Sequence, residues 1–273
     1  MLTFVPTPIG NLSDITFRAL EVFAQTELFL CEDTRVTKRL LALLQERFEH
    51  FSPLPYATYL SFHEHNAEAR IDDIAETLHR SRCAYVSDAG MPCISDPGQQ
   101  LVAYCQEQGI DYEVLPGATA LSVAYAASGF ESGRFAFYAF LSSKPFLRRT
   151  QLAEIMHNGL DAIVYEAPHR LLDLLRDIAD IDPKRTVFAA KELSKRYQRY
   201  YKSDAKALVE TLSQESIRGE WCIVIEGKKE TMPKLTLSQI ERMDLPPKVK
   251  AKLLSELTGE SVKSHYARLI QDH

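Results

Sequence analysis

The sequence predicts an α/β protein built from two α/β domains, and three observations lead to this prediction. Short apolar runs typical of strands alternate with amphipathic segments typical of helices along most of the chain. Gly129 and Gly133 bracket a break that separates this alternation into two halves. The length of 273 residues suits two domains, and 45% hydrophobic with 25% charged residues is ordinary for a soluble globular protein.

Five apolar runs predict strands in the first half, each followed by a polar or amphipathic segment. These runs are LTFV at the start, LFLC at 28–31, a short third run before SFHEHN, CAYVS at 83–87 and YEVL at 112–115. Helices are expected at about 13–24, 34–44 and 66–80, over QQLVAYCQEQ at 99–108, and over LSVAYAAS at 121–128. Ser13 or Asp14 is the expected N-cap of the first helix.

The second half repeats the alternation and ends in a different composition. Strands are expected in FAFYAFL at 135–141, AIVYEA at 162–167, TVFAAK at 186–191 and CIVIEG at 222–227, with helices between them, one ending near Ile178. A basic segment, SSKPFLRRT at 142–150, is interpreted as a mobile loop. From about residue 233 the chain is rich in lysine and leucine. We therefore predict domains at 1–117 and 118–230 and a small helical appendage at 231–273.

Several classes of protein are excluded by what the sequence lacks. MLTFVPTPIG has no basic region before a long apolar run, so no signal peptide is expected, and no stretch reaches the roughly 18 apolar residues of a membrane span. Five cysteines without a C-x-x-C spacing indicate reduced thiols in the cytoplasm. Dinucleotide, phosphate-loop and G-x-S-x-G motifs are missing. HEH at 63–65 could hold a metal, but no third ligand is evident, so no metal is expected.

Polar and Gly/Pro-rich clusters follow the predicted strands. They are PTPIGN (6–11), EDTR (32–35), SFHEHN (61–66), SDAGMPCISDPG (87–98), PGATA (116–120) and EAPHR (166–170). Each one alone is explained by turns and helix caps. In an open α/β sheet, however, ligands bind beyond the carboxyl ends of the strands, so six such clusters together predict a binding site there.

In this order, and with KELSK and GEW further on, the clusters resemble the ribosomal RNA small-subunit methyltransferase I family. Members are 2′-O-ribose methyltransferases of the tetrapyrrole methylase superfamily. The resemblance runs to about residue 227, with a weaker match over KLLSELTGESVKSHY. This sequence departs from the family pattern in having Pro6 and Cys93 for glycine, Met91 for threonine, Ala118 for proline and Ala167 for serine.

The resemblance implies two α/β domains of the tetrapyrrole methylase type, with S-adenosylmethionine in the cleft between them. It also implies a cytidine ribose of small-subunit rRNA as substrate, in an assembled or nearly assembled 30S-type subunit, and a homodimer as the working unit. A Gly/Pro loop suits this cofactor because Gly90 lets backbone groups approach it closely. The implied cofactor-binding residues are Pro8, Ile9, Asp88, Ala89, Gly90, Met91, Ala118, Thr119, Ala120 and Tyr165. For Asp88, a structural brace within its loop is the alternative.

The chemical step requires a ribose hydroxyl to lose its proton, so carboxylates and imidazoles near the cleft are the candidates. The catalytic candidates are Glu32, Asp33, Arg35, His63 and His65. Arg35 is expected to fix a phosphate, because its planar fork matches two phosphate oxygens. Helix capping remains the alternative for Glu32 and Asp33, and a structural role remains the alternative for both histidines.

RNA binding needs a local basic patch, because the whole chain has a net charge of −5. KRYQRYYK at 195–202 interleaves cations with tyrosines, the composition that single-stranded RNA requires. The predicted RNA-binding residues are Arg35, Arg39, Lys144, Arg148, Arg149, Arg170, Lys195, Arg196 and Arg199. A solvated edge strand or helix face is the alternative for the run at 195–202.

Two other functions stay open from the sequence. The chain could methylate a small tetrapyrrole, as much of the superfamily does, although such a site would favour an apolar trough. It could also be a non-catalytic RNA-binding assembly factor on a methylase fold. An enzyme would retain and consume the cofactor, whereas an assembly factor of this kind would do neither.

Overall fold

A computed structural model describes residues 1–63, 66–228 and 237–271. The chain divides into two compact units, Met1–Lys228 and Lys229–His273. The first unit contains two five-stranded sheets with helices packed on them, so the predicted α/β class is confirmed.

The first sheet is entirely parallel. Its strands are β1 (Leu2–Val5), β2 (Leu28–Cys31), β3 (Thr58–Ser61), β4 (Cys83–Val86) and β5 (Tyr112–Val114), in the order β3-β2-β4-β1-β5. Every residue of β1, β2 and β4 is buried, as expected for central strands covered on both faces. Because the strands are parallel, the polar clusters that follow them lie at one edge of the sheet.

Five helices follow these strands: α1 (Phe17–Gln25), α2 (Thr34–Arg47), α3 (Ala67–Arg80), α4 (Gly98–Gln108) and α5 (Ala120–Ser128). The expected N-cap of the first helix is wrong. A 3-10 turn at Leu12–Asp14 comes first, capped by Asn11. The helix α1 starts at Phe17 because Thr16 Oγ1 accepts a hydrogen bond from the N–H of Ala19 at 3.1 Å.

The second sheet is mixed. It consists of β6 (Phe135–Phe140), β7 (Asp161–Glu166), β8 (Thr186–Lys191), β9 (Arg199–Asp204) and β10 (Trp221–Ile225), in the order β6-β7-β10-β8-β9. The pair β6–β7 is parallel, whereas β10 runs antiparallel to both β7 and β8. The main sequence interpretation placed no strand between TVFAAK and CIVIEG, but the edge strand given as the alternative for 195–202 is confirmed in part by β9, which forms an edge of this sheet. Its exposed, charged residues hide the usual alternation of a strand.

Three helices cover one face of this sheet, and α5 packs on the other: the three are α6 (Pro145–His157), α7 (Leu171–Ile181) and α8 (Ala205–Leu212). The mobile loop expected over 142–150 is wrong, because α6 begins at Pro145, a residue favoured in the first turn of a helix. Arg148 therefore lies on the buried face of α6, where its Nε is 2.7 Å from Oδ2 of Asp177 on α7.

The C-terminal unit contains α9 (Leu237–Arg242), α10 (Pro247–Thr258) and α11 (Val262–Gln271). Gly259, with φ of +73°, ends α10 in the left-handed conformation that favours glycine. His265 of α11 is buried, with its Nε2 at 2.7 Å from Oγ1 of Thr258. Within the described ranges, no helix of either unit has the length and apolarity that crossing a bilayer demands.

Candidate active site

A cavity of about 480 Å³ is lined by residues from both sheets and their loops. The first half contributes Ile9, Glu32, 87–91, 94–96, Thr119 and Ala120, and the second half contributes Phe140, 165–168, Ala190, Leu193 and 220–222. Ile9 also packs into one apolar cluster with Ile163, Phe188 and Val224 of the second sheet. The loop after β1 is thus fixed to the second sheet at the cavity wall.

The turn at Gly90 forms one backbone wall of the cavity. The N–H of Gly90 donates to the carbonyl of Thr7 at 3.1 Å, and the N–H of Thr7 donates to the carbonyl of Gly90 at 3.0 Å. Gly90 has φ of +82°, and a Cβ at this position would lie 3.2 Å from Cγ2 of Ile9. Glycine is therefore required both by the backbone conformation and by the space beside Ile9.

The opposite wall joins the start of α5 to the end of β7. Thr119 is the N-cap residue of α5, and its side chain does not cap the helix. The N–H of Leu121 instead donates to the hydroxyl oxygen of Tyr165 at 3.2 Å. Burial raises the pKa of Tyr165 to about 12, so the phenol stays protonated. The first amides of a helix are a favourable site for an anionic group, and here they adjoin the cavity.

Glu32 is the acidic residue of EDTR that lines the cavity. Partial burial, together with the charges of Asp96 and Asp88, raises its pKa to about 7. Asp96 is held in place by the hydroxyl of Tyr85, which donates to its Oδ1 at 2.7 Å, and by the N–H of Gly98 at 2.9 Å. Glu32 is therefore close to half ionised at neutral pH, a suitable state for a group that accepts a proton.

The other catalytic candidates lie elsewhere. Asp33 caps α2, since its Oδ1 accepts from the N–H of Arg35 at 2.8 Å, and the Arg35 side chain holds the pKa of Asp33 near 2. Arg35 itself is 89% exposed. The N–H of His63 donates to Oδ1 of Asn66 at 2.9 Å. In the part of the chain that the structure describes, Asp33, Arg35 and His63 do not line the cavity, and His65 lies outside the described residues.

Most of the residues expected to bind the cofactor are brought together by the fold. The cavity is lined by Ile9, Asp88, Ala89, Gly90, Met91, Thr119, Ala120 and Tyr165. Pro8 and Ala118 belong to the same loops but are not part of the described lining. The carbonyl oxygen of Ala118 would nevertheless be 3.6 Å from a Cβ on Gly90, so Ala118 lies directly behind that turn.

Sequence reasoning found only part of the wall that the second sheet supplies, because it named Tyr165 and the cluster at 166–170 but did not single out Phe140 or Trp221. Ile94, Asp96 and Glu166 also line the cavity, and they lie in clusters that the sequence analysis identified without choosing these residues. Phe140 and Trp221 stand in apolar runs that are typical of strand interiors, so the composition gave no reason to separate them from the core. Asp96, the acidic residue of SDPG, could have been predicted from the sequence, because a carboxylate in a glycine-rich turn at a strand end is a typical ligand contact.

The charged side chains that line the described cavity are all carboxylates. They are Glu32, Asp88, Asp96, Glu166 and Glu220, and no described lysine, arginine or histidine lines the cavity. Two of these carboxylates have cationic partners nearby: Arg170 Nε lies 3.2 Å from Glu166, and Lys195 Nζ lies 3.0 Å from Glu220. The remaining three favour a positively charged ligand group and exclude phosphates from the interior.

The predicted RNA-binding residues differ widely in exposure. Arg39, Lys144 and Arg196 are exposed. Lys195 pairs with Glu192 and Glu220, Arg199 with Glu215, and Arg149 with Asp177 and Asp180. Arg148 is only 5% exposed in its side chain, so the surface position that the sequence analysis assumed for it is wrong. Among residues 1–63, 66–228 and 237–271, no three His, Cys, Asp or Glu side chains form a group that could hold a metal.

The tetrapyrrole (corrin/porphyrin) methylase family model matches residues 1–209, and a full-length relative narrows the assignment. Ribosomal RNA small subunit methyltransferase I of Helicobacter pylori (strain ATCC 700392 / 26695) is 43% identical over 100% of this chain and 99% of its own length. The chain belongs to the tetrapyrrole methylases, in the ribosomal RNA small subunit methyltransferase I group. The resemblance inferred from the motifs is therefore confirmed.

Solved structures agree with the tetrapyrrole methylase fold. A putative diphthine synthase from Entamoeba histolytica superposes with a TM-score of 0.59 at 18% identity, covering 88% of this chain and 97% of that one. Uroporphyrin-III C-methyl transferase from Thermus thermophilus, complexed with S-adenosyl homocysteine, gives 0.55 at 16% identity, covering 82% and 96%. In this tetrapyrrole methylase, two α/β halves make one unit.

Proposed function

We propose that this tetrapyrrole methylase transfers a methyl group from S-adenosylmethionine to the 2′-hydroxyl of a cytidine in small-subunit ribosomal RNA. The observation that carries the proposal is the 43% identity, over the whole chain, to a protein named ribosomal RNA small subunit methyltransferase I. The choice of the cytidine 2′-hydroxyl comes from the motifs that this sequence shares with that family.

The residues present fit this cofactor. The backbone at 88–91 and 118–120, with Tyr165, would hold it, because Gly90 leaves room that a Cβ would fill. The start of α5, where the Thr119 side chain does not cap the helix, suits the carboxylate of its methionine part. Its positive charges suit a cavity in which Glu32, Asp88 and Asp96 have no cationic side chain beside them in the described lining.

The chain's own contribution to catalysis is alignment and acceptance of a proton. Bound S-adenosylmethionine supplies an electrophilic methyl group. Rigid walls around the cavity hold the reacting groups in line, and such positioning contributes roughly 7–11 kcal/mol to lowering a barrier. Glu32 accepts the proton that the ribose hydroxyl loses, because its pKa of about 7 leaves it ionised in a large fraction of molecules at neutral pH.

Charge also separates the proposed substrate from a tetrapyrrole. Many tetrapyrrole precursors carry several carboxylates, which would be repelled by the acidic residues that line this cavity. An RNA can instead insert one nucleoside while its phosphates stay outside, where the protein surface carries exposed cations such as Arg39, Lys144 and Arg196. The proposal includes an assembled or nearly assembled 30S-type subunit as substrate, a homodimeric enzyme and a cytoplasmic location.

One experiment tests the proposal. The protein is incubated with S-adenosylmethionine labelled in its methyl group and with small subunits that lack the modification, and the RNA is digested to nucleosides. We expect the label in 2′-O-methylcytidine. Label in another nucleoside would contradict the proposed substrate position, and tight RNA binding without any transfer would identify a non-catalytic assembly factor instead.

A further inference from the structure

Phe140 is a large aromatic residue that lines the cavity while 54% of its surface stays exposed. Aromatic side chains in sheets normally bury their rings, as Phe188 does at 3% exposure in the same sheet. A half-exposed ring in the wall of a cavity offers a flat apolar face to whatever enters.

The backbone on the N-terminal side of Phe140 departs from regular strand geometry. The register of β6 against β7 shifts between Phe137 and Phe140, so the pairing is irregular there, as it is at a β-bulge. Ala139, directly before Phe140, has φ of +51°, a left-handed conformation that a residue with a Cβ rarely adopts. Bulges of this kind redirect a side chain at the end of a strand, and local strain of this kind accumulates at functional sites.

Two contacts keep the ring and the following backbone in place. The ring of Phe140 meets the ring of Tyr165 edge to face, with centroids 5.8 Å apart at 63°. Nη2 of Arg170 donates to the carbonyl of Leu141 at 2.7 Å and to that of Ser142 at 3.1 Å. Arg170 therefore makes contacts inside the protein that position this segment, and the RNA contact expected for it from the sequence stays a prediction.

We propose that Phe140 is the stacking surface for the nucleobase of the methylated nucleotide. This inference rests on the proposed function, and it adds the residue that receives the base. Ile94, 38% exposed, supplies a second apolar group to the same cavity from the glycine-rich loop. Lys144, exposed four residues further on, offers a cation for the adjoining phosphate. Aromatic side chains next to cations are the usual means of holding an unstacked base.

Three variants of Phe140 and one control test the proposal. We expect Phe140→Ala and Phe140→Leu to raise the half-saturating concentration of small subunits by about 5- to 150-fold in single-turnover methyl transfer. Phe140→Tyr keeps an aromatic face and should stay within about threefold of wild type. The matched control is Phe146→Ala, because Phe146 is 79% exposed in α6 and does not line the described cavity. Calorimetric affinity for S-adenosylmethionine should be unchanged in all four.

A spectroscopic readout separates stacking from a structural effect. A fluorescent cytidine analogue at the mapped methylation position should be quenched on binding wild-type protein and Phe140→Tyr, but not on binding Phe140→Leu.

Wild-type behaviour of Phe140→Leu would overturn the proposal and leave the methyltransferase assignment intact. Loss of cofactor affinity in Phe140→Ala would place the ring against the cofactor instead. A lower mass of Phe140→Ala in light scattering would show that the ring is a contact between two copies of the chain. Loss of cofactor affinity or a lower mass would each overturn the proposal. Absence of transfer by the wild type would contradict the proposed function itself.

Discussion

The backbone N–H of Asp33 donates a hydrogen bond to Oδ1 of Asp88 at 3.1 Å, across 55 residues of sequence. This bond joins the loop after β2 to the loop after β4, which are neighbouring strands in the first sheet. It holds Glu32 near Asp88, whose negative charge helps to raise the pKa of Glu32. The geometry thus couples the proposed proton acceptor to the glycine-rich loop.

Glu32→Gln should reduce single-turnover methyl transfer by about 10²- to 10⁴-fold, the usual contribution of a general acid–base group. The ionised carboxylate is the active form, so the wild-type rate should rise with pH up to about 7 and level off above it. The rate of the variant should not follow this profile. Glu46→Gln is the matched control, because Glu46 is exposed on α2 and does not line the described cavity. A wild-type rate for Glu32→Gln would leave alignment as the main source of catalysis.

Glu32→Gln should also change thermal stability, and the stability of the variant relative to wild type should increase as the pH rises. Because the pKa of Glu32 is raised from 4.5 to about 7 on folding, its protonated form stabilises the native state at low pH. That stabilisation is lost as the pH rises from about 4.5 through 7. Glu32→Gln should therefore melt at a higher temperature than wild type at pH 8, with a smaller difference at pH 5. Equal differences at both pH values would contradict the raised pKa.

Gly90→Val should weaken the binding of S-adenosylmethionine by at least about tenfold, since its side chain would press on Ile9 in the cavity wall. The strain of a left-handed β-branched residue, of order 1–3 kcal/mol, adds to this effect and is shared by the control. Isothermal calorimetry measures the affinity, and far-UV circular dichroism should show native secondary structure. Gly109→Val is the control, because Gly109 also has a positive φ but would have nothing within 4 Å of its Cβ. Equal losses in both variants would indicate unfolding rather than a blocked site.

Arg148→Ala should lower the free energy of unfolding by about 3–5 kcal/mol, because it leaves the buried carboxylate of Asp177 without its buried partner. Arg149 contacts the same carboxylate but is 59% exposed, so Arg149→Ala should lower the free energy of unfolding much less than Arg148→Ala does. Urea titration measures both values. RNA affinity of folded Arg148→Ala should equal that of wild type. A large loss of affinity in this variant, with stability unchanged, would restore the surface role predicted from the sequence.

Removing Lys195, Arg196 and Arg199 together should weaken RNA binding and make its salt dependence shallower by up to about 0.7 log unit per lost phosphate contact. Arg196→Ala alone should account for most of the change in slope. Lys195 and Arg199 form ion pairs with glutamates, whereas Arg196 pairs with no described carboxylate and lies 5.5 Å from the ring of Tyr197. Filter binding at several salt concentrations measures the slope. The double variant Lys184→Ala/Lys206→Ala is the control, since both side chains are exposed lysines outside this run.

The sequence predicted the first half of the fold better than the second. Parallel strands followed by loops leave a repeated pattern, and the clusters at 6–11, 32–35 and 87–98 meet as expected. The strand order of the second sheet could not be predicted from the sequence, because β10 pairs with strands that precede it by several elements. Arg148 and Arg149 look alike in sequence, but helical geometry turns only one of them inward. Residues such as Phe140 were missed because a bulge is a property of pairing, which composition does not reveal.

The position of β10 has a consequence for biosynthesis. It is the last strand of the first unit to leave the ribosome, yet it lies between β7 and β8. Until residue 225 has been made, those two strands present unpaired inner edges, and the wall at 220–222 does not exist. We therefore expect nascent chains that stop before β10 to be prone to aggregation and unable to hold the methyl donor. We expect cofactor binding to become possible only after this central strand has been made and has paired with β7 and β8.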